Sequence, residues 1–277
     1  MLKCTYMKII DAHIHVNFSN PEAKEFTEKE GIPWSWNVLL GEMEKNRIAG
    51  AMAITTDTES PTPGESDILL DLRERDTRFF PVPAIHPKHT GANDIKKTEI
   101  LLKERKIFGF KIFPGYHPVY PSDPCYHPFY ELAGRFGVPV IIHTGDTFGS
   151  KYLVKFSHPL DVDEIAVKFP GTTFVLAHLG NPWVRDAAEL VYKNENVYAD
   201  FSAFCMLHVG VNDKKRIRED ITFALQYTGR PDKFLYGSDW PLVNMGEYIA
   251  LIKALVPRRF HQKIFFDNAN HIFKLGL

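Results

Sequence analysis

Short apolar runs recur along the chain at a spacing that leaves room for one helix between each pair. From the N-terminus they cover residues 8–10, 50–54, 79–85, 108–113, 138–142, 173–177, 196–201 and 233–236. Most are apolar at consecutive rather than alternate positions, as expected of strands buried on both faces of a parallel sheet. The segments between them carry helical spacing, for example Ile68, Leu69 and Leu72 within residues 66–75. The other predicted helices cover 36–46, 94–105, 126–136, 162–169, 183–193, 214–227 and 245–255.

Several helices close on phrases that stop a helix and start a strand, namely Phe136-Gly137-Val138-Pro139, Phe169-Pro170-Gly171 and Gly229-Arg230-Pro231. A strand–helix unit of roughly 30 residues, met eight times, is the pattern of an α/β (β/α)8 TIM barrel. No linker or low-complexity tract divides the chain, so residues 1–277 are expected to form a single barrel domain, with 1–6 as an N-terminal extension. A doubly wound open sheet is disfavoured because no Gly-rich phosphate loop follows the first strand.

Composition narrows the partners. Lys plus Arg number 33 against 34 Asp plus Glu, a formal net charge of -1, which gives no electrostatic reason to expect nucleic acid or an anionic membrane. The three cysteines, Cys4, Cys125 and Cys205, lack any CxxC spacing, so neither a disulfide framework nor a thiolate zinc site is expected. No apolar segment of signal-peptide length precedes the first polar cluster, and no run approaches the roughly 18 residues of a membrane span. A cytoplasmic protein is the expectation.

In a barrel of this kind the reacting groups stand at the C-terminal ends of the strands. The first predicted strand runs into Asp11-Ala12-His13-Ile14-His15; His13 and His15 are two apart and on extended backbone point to one side. Lys111 ends the fourth strand, His143 the fifth, His178 the sixth and Asp239 the eighth. Imidazoles with a carboxylate are the ligand set of zinc or a related first-row divalent ion such as manganese. Each residue alone has a plainer reading. A histidine near a strand end is usually hydrogen-bonded structure, Asp239 could cap the helix after Pro241, and Lys111 could snorkel from the rim. Their gathering at one edge of the inferred barrel outweighs these.

The remaining histidines carry weaker expectations. His86, His117, His127 and His158 each precede proline, a turn-forming context, although His86 and His117 fall on the same side as the candidate site. His89, His208, His261 and His271 read as structural. Aromatic residues that could wall an organic substrate are Trp34, Trp36, Phe113, Tyr116, Phe148, Phe204 and Trp240. Residues 17–33 form a long segment after the first strand that could fold over the mouth as a lid.

The phrases DAHIHV, GFKIFPGYHP, PVIIHTGD, FPGTTFVLAHLG, NVYADFSA and YGSDWP, with the closing IFFDNANHIFKL, resemble the amidohydrolase superfamily. The branch they resemble includes aminocarboxymuconate-semialdehyde decarboxylase. The resemblance implies that His13, His15, His143 and Asp239 hold a metal, and that His178 positions water or polarises the substrate. It also implies either a carboxylated Lys111 bridging two metals, with His143 and His178 as ligands of the second, or an unmodified Lys111 facing a substrate carboxylate; one metal and a free lysine are the expectation. A homodimer is expected on the same ground.

The expected chemistry is hydrolysis. Water on zinc loses its proton near pH 7, and the target is a carbonyl, amide or lactone carbon of a small, carboxylated substrate. Asp239 would accept and pass on the proton, His178 would donate to the oxyanion and Lys111 would add positive charge. The alternative is metal-dependent nonoxidative decarboxylation of a small carboxylic acid; the compactness of the chain favours hydrolysis. A non-catalytic barrel with a binding role predicts a missing ligand, and none is missing.

Overall fold

The computed structural model describes residues 7–16, 18, 21–55, 71–205 and 211–277. Among the described residues, eight strands run in parallel around one barrel: β1 Ile9–His15, β2 Ile48–Ile54, β3 Phe79–Val82, β4 Phe110–Ile112, β5 Val140–Ile142, β6 Phe174–Leu176, β7 Val197–Asp200 and β8 Phe234–Leu235. Continuous ladders join β1 to β3 and β4 to β8. Two seams close the circle. At one, Ala12 N–H donates to Tyr236 O at 2.9 Å and His15 N–H to Trp240 O at 2.8 Å. At the other, Lys111 N–H donates to Pro83 O at 2.9 Å and Ile85 N–H to Lys111 O at 2.8 Å. The (β/α)8 expectation therefore holds.

Side chains alternate between two buried layers, which is why the strands read as continuous apolar runs. Val140, Ile142, Phe174 and Leu176 face the surrounding helices, whereas Ile141, Val175, Met52 and Ile54 belong to a second cluster inside the barrel. Ala269, Ile272 and Phe273 join that inner cluster, so the C-terminal helix Asn268–Ile272 plugs its floor. Lys111 pairs in register with Ile141, which pairs with Val175. It therefore stands on the interior face, above a dry apolar floor.

The helices alternate with the strands largely as predicted. Trp36–Asn46 starts at Ser35, whose side chain accepts from Val38 N, and ends on Arg47 with φ 57°. His127–Phe136 ends on Gly137 in the left-handed conformation, φ 63°, which glycine adopts without a Cβ clash. The remaining crossovers are Ala92–Lys103, Asp161–Lys168, Val184–Lys193, Val211–Thr228 and Met245–Leu255. Residues 71–75 are helical and the rest of predicted helix 66–75 lies outside the described residues, as do 1–6 with Cys4, and His208.

Two expectations change. The first strand extends to His15 instead of stopping at Ile10, because backbone bonds to β2 and to Tyr236 and Trp240 continue through the histidines. Within the segment 17–33, Pro21–Lys29 is a helix, with Pro21 at its first position. Among the described residues, no helix is long and apolar enough to cross a membrane.

Candidate active site

β1 delivers His13 and His15, and the eighth strand's end delivers Asp239. The pairing of β1 with β2 has a register irregularity between Asp11 and Ile14, the stretch that carries His13. His13 Nε2 lies 3.4 Å and His15 Nε2 3.0 Å from Asp239 Oδ1, and the three ligating atoms fall within 4.8 Å of one another. Asp239 Oδ1 is nonetheless buried without a hydrogen bond, the histidine approach lacking the alignment one needs. Two imidazole nitrogens crowding an orphaned carboxylate oxygen is the arrangement a divalent cation would satisfy.

Several further residues lock this cluster. Asp11 Oδ1 accepts from the backbone of His13 at 3.2 Å and of Ser238 at 2.9 Å, stitching the two ligand-bearing segments together. Asp200, at the end of β7, receives His13 Nδ1 at 2.9 Å on Oδ2. Its Oδ1 accepts the backbone N–H of His178 at 2.9 Å and of Ser202 at 3.0 Å. A carboxylate on the second nitrogen of a ligating histidine fixes the tautomer and aims the first at the metal. The ligating atoms of His13, His178 and Asp200 also fall within 4.8 Å of one another. There His13 Nδ1 is already bonded to Asp200 Oδ2 and His178 Nδ1 to Ser202 Oγ, so the His13, His15, Asp239 group is the better cation site.

Asp239 and His178 both adopt left-handed backbone, φ 66° and 60°, unusual for residues other than glycine. The Asp239 N–H bonds to His13 O at 2.8 Å, which holds its turn in place. Asp239 does not cap the next helix; Asn244 does, accepting from Glu247 N at 3.1 Å.

The site's protonation states suit a cation. Burial, with the nearby Lys111 charge, pushes His13 down to about 4. Burial likewise lowers His143 well below the usual histidine value and lowers His178. Burial works to raise the carboxyls of Asp200 and Asp239, but their histidine neighbours outweigh it and both stay below the usual range. Neutral imidazoles and ionised carboxylates are what metal binding requires. Lys111 is fully buried, its Nζ 3.4 Å from His13 Nε2, and burial lowers it to about 8. Burial also raises Asp11 to about 7.

Above the cluster opens a cavity of about 480 Å³. His15, Lys111, His143, His178 and Asp239 line it, with Phe26, Thr27, Trp34, Phe113, Tyr116, Phe148, Tyr152 and Leu242 among its walls. His13 lies beneath the lining. His143 is brought to the same cavity, its ring 5.1 Å from that of His178, but its Nε2 faces Asp146 O at 3.1 Å and it is not part of the close ligand group. Lys111, His143 and His178 thus ring the cluster formed by His13, His15 and Asp239.

Other expectations sort by contact. Trp34, Phe113, Tyr116 and Phe148 line the cavity, whereas Phe204 and Trp240 are buried in the core and Trp36 packs on Phe18 and Phe79. His86 and His117 are outside the lining and meet edge to face, with ring centroids 4.3 Å apart. His127 and His261 contact backbone carbonyls, and His158 pairs with Asp186 at 3.5 Å. Asp11, Asp200 and Ser202 are site residues that the sequence reading missed. For Asp200 the signal was present, a carboxylate at a strand end in NVYADFSA.

Comparison with known proteins follows the same outline. No curated protein matches the chain. Among solved structures, an uncharacterised TIM-barrel protein from Bordetella bronchiseptica is 19% identical with TM-score 0.76, covering 97% of this chain and 99% of its own. A dihydroxybenzoic acid decarboxylase from Polaromonas sp. JS666, with bound manganese and the inhibitor 2-nitroresorcinol, is 16% identical with TM-score 0.71, covering 98% of each chain. A probable 2-pyrone-4,6-dicarboxylic acid hydrolase from Acinetobacter baumannii, with citric acid bound, is 14% identical with TM-score 0.68, covering 97% of this chain and 100% of its own. At these identities the likeness speaks to the fold. The family model described as amidohydrolase matches residues 10–275, nearly the whole chain, and this chain belongs to that family.

Proposed function

We propose that the protein is a metal-dependent hydrolase that acts on a carbonyl, amide or lactone carbon of a small, planar, carboxylated molecule. The observation that carries this reading is the approach of His13 Nε2 and His15 Nε2 to the orphaned Asp239 Oδ1, beneath an aromatic-walled cavity. His13, His15 and Asp239 would hold one divalent ion; His178, its ring 5.0 Å from that of His13, stands beside them, whereas His143 would join only by turning Nε2 away from Asp146 O. Zinc or manganese suits such donors. Such an ion polarises a carbonyl and acidifies water, bringing a nucleophile within reach of neutral pH.

The side chains around it divide the remaining work. Asp239, held ionised by its histidine neighbours, takes up the proton released at the attacking oxygen and returns it to the leaving group. Ser202 Oγ donates to Asp200 Oδ1 and so accepts the Nδ1–H of His178 at 2.8 Å, which leaves His178 Nε2 as an acceptor that would orient the attacking water or join the ion's ligands. Lys111 draws the substrate carboxylate to the cavity floor. Phe113, Trp34 and Tyr152 offer flat apolar surface to a ring and exclude water.

Nonoxidative decarboxylation is the second reading, favoured by the same aromatic walls. There Lys111 would hold the departing carboxylate while a proton is delivered to the ring carbon. Incubation of the metal-loaded protein with aryl lactones, esters, amides and hydroxybenzoates in ¹⁸O-labelled water separates the two. Label in a product acid identifies hydrolysis; carbon dioxide released without label in the other product identifies decarboxylation. Turnover of none of these compounds would count against both.

A further inference from the structure

We propose that Tyr116 fixes an acidic oxygen of the substrate by hydrogen bonding, and that the same hydroxyl latches the mouth of the cavity around it. The proposal rests on the reading that this cavity takes a small carboxylated molecule.

Tyr116 follows β4 in the loop beyond Lys111 and lines the cavity. Its hydroxyl oxygen accepts the backbone N–H of Phe148 at 2.9 Å. A phenol keeps its proton at neutral pH and so is a donor as well as an acceptor. Among the described residues nothing accepts that proton. The ring has little freedom to take the hydroxyl elsewhere, since it stands edge-on to His143 at 4.8 Å and against Tyr152 at 4.7 Å. A directed donor is therefore built into the wall of a cavity whose floor carries the Lys111 charge. Lys111 attracts an anion from any angle, whereas the Tyr116 hydroxyl prefers one line of approach.

The partner of Tyr116 carries the second half of the argument. Phe148 is 49% exposed, lines the cavity, and meets Phe26 of helix Pro21–Lys29 with ring centroids 4.7 Å apart. The two rings approach from opposite sides of the chain's fold, one after β1 and one after β5, at the entrance. An oxygen that accepts from Tyr116 polarises the hydroxyl and makes it a stronger acceptor for Phe148 N–H. Occupancy of the cavity and closure of the Phe26–Phe148 contact are then coupled through one hydroxyl.

The test uses the metal-loaded protein, with benzoate as probe and benzyl alcohol as its uncharged counterpart. Calorimetry on the wild type and on Tyr116→Phe gives affinities, and hydrogen exchange at the Phe148 amide reports the latch. The expected result is benzoate affinity at least roughly tenfold weaker in Tyr116→Phe, the range for a hydrogen bond to a charged group. Benzoate should also slow Phe148 exchange in the wild type but not in the variant. Equal benzoate affinity in the two proteins, or a Phe148 amide indifferent to benzoate, overturns the Tyr116 assignment and leaves the cavity reading standing. Wild-type protein that binds benzoate no better than benzyl alcohol overturns the carboxylate reading itself, and this proposal with it.

Discussion

His13 and Asp200 stand 187 positions apart, yet Nδ1 of the histidine lies 2.9 Å from Oδ2 of the carboxylate with both side chains fully buried. The contact decides which way the imidazole faces. With Nδ1 committed to Asp200, Nε2 is left to meet Asp239 and His15. Replacing Asp200 with Asn keeps the shape but removes the charge that fixes the tautomer. Metal affinity, measured by competition with a chromophoric chelator, should fall roughly 10–100-fold. Unchanged affinity would show that Asp200 does not orient a ligand.

Lys111 offers a separable test, because it is buried but is not assigned as a ligand. Lys111→Met keeps an unbranched side chain of similar length and removes a charge whose burial is itself costly. The variant should keep its metal and its melting temperature while KM for a carboxylated substrate rises by about tenfold or more, the scale of one lost charge-assisted hydrogen bond. Loss of metal instead would mean that the lysine, in carboxylated form, is itself a ligand.

Close packing behind the cluster predicts a steric effect. A Cβ on Gly237 would lie 2.8 Å from His13 Cβ and 3.2 Å from Ser202 Cβ. Gly237→Ala should therefore destabilise the fold by about 1–3 kcal/mol and displace His13. Thermal unfolding and metal content measured together check it: a stable, fully loaded variant would contradict the packing described.

Away from the site, Asp76 and Arg78 form a two-point pair at the turn into β3, with Arg78 Nη2 2.7 Å and Nε 3.0 Å from the carboxylate oxygens. The Arg78 hydrogen bonds hold the Asp76 carboxyl below its ordinary value. A carboxyl depressed in the folded state stabilises above its unfolded pKa of about 3.9 and loses that contribution as pH falls through the folded value. Asp76→Asn should cost only about 0.5 kcal/mol near pH 7, because the pair is partly solvated. The difference in urea midpoints should shrink towards zero in strong acid, and a constant difference would exclude the charge as its source.

How far the chain could be read in advance follows from what kind of signal each feature leaves. Buried parallel strands leave apolar runs, and all eight were legible, although from β3 to β8 the ladders are shorter than the runs because flanking apolar residues lie outside the regular pairing. Phe108 and Ile85 show this: each is buried but bonds only across the seam between β3 and β4. His13, His15, Lys111, His143, His178 and Asp239 were legible because strand ends on one edge of a barrel share a mouth. Helix Pro21–Lys29 was not, since PEAKEFTEK is polar on most sides and lacks a continuous apolar stripe. The left-handed backbone at His178 was beyond reach as well, because its N–H is held by Asp200 from a different strand. Tyr116 was read only as apolar wall; its bond to Phe148 joins two loops, which spacing along one chain does not encode.

The central claim is one divalent ion held by His13, His15 and Asp239, and elemental analysis by plasma mass spectrometry tests it most directly. Purified wild-type protein should carry about one equivalent of zinc or manganese, and the His13→Ala, His15→Ala double variant should carry almost none. Two equivalents would point to a bridged pair through a carboxylated Lys111. Wild-type protein that stays metal-free after growth and dialysis with both ions would contradict the account.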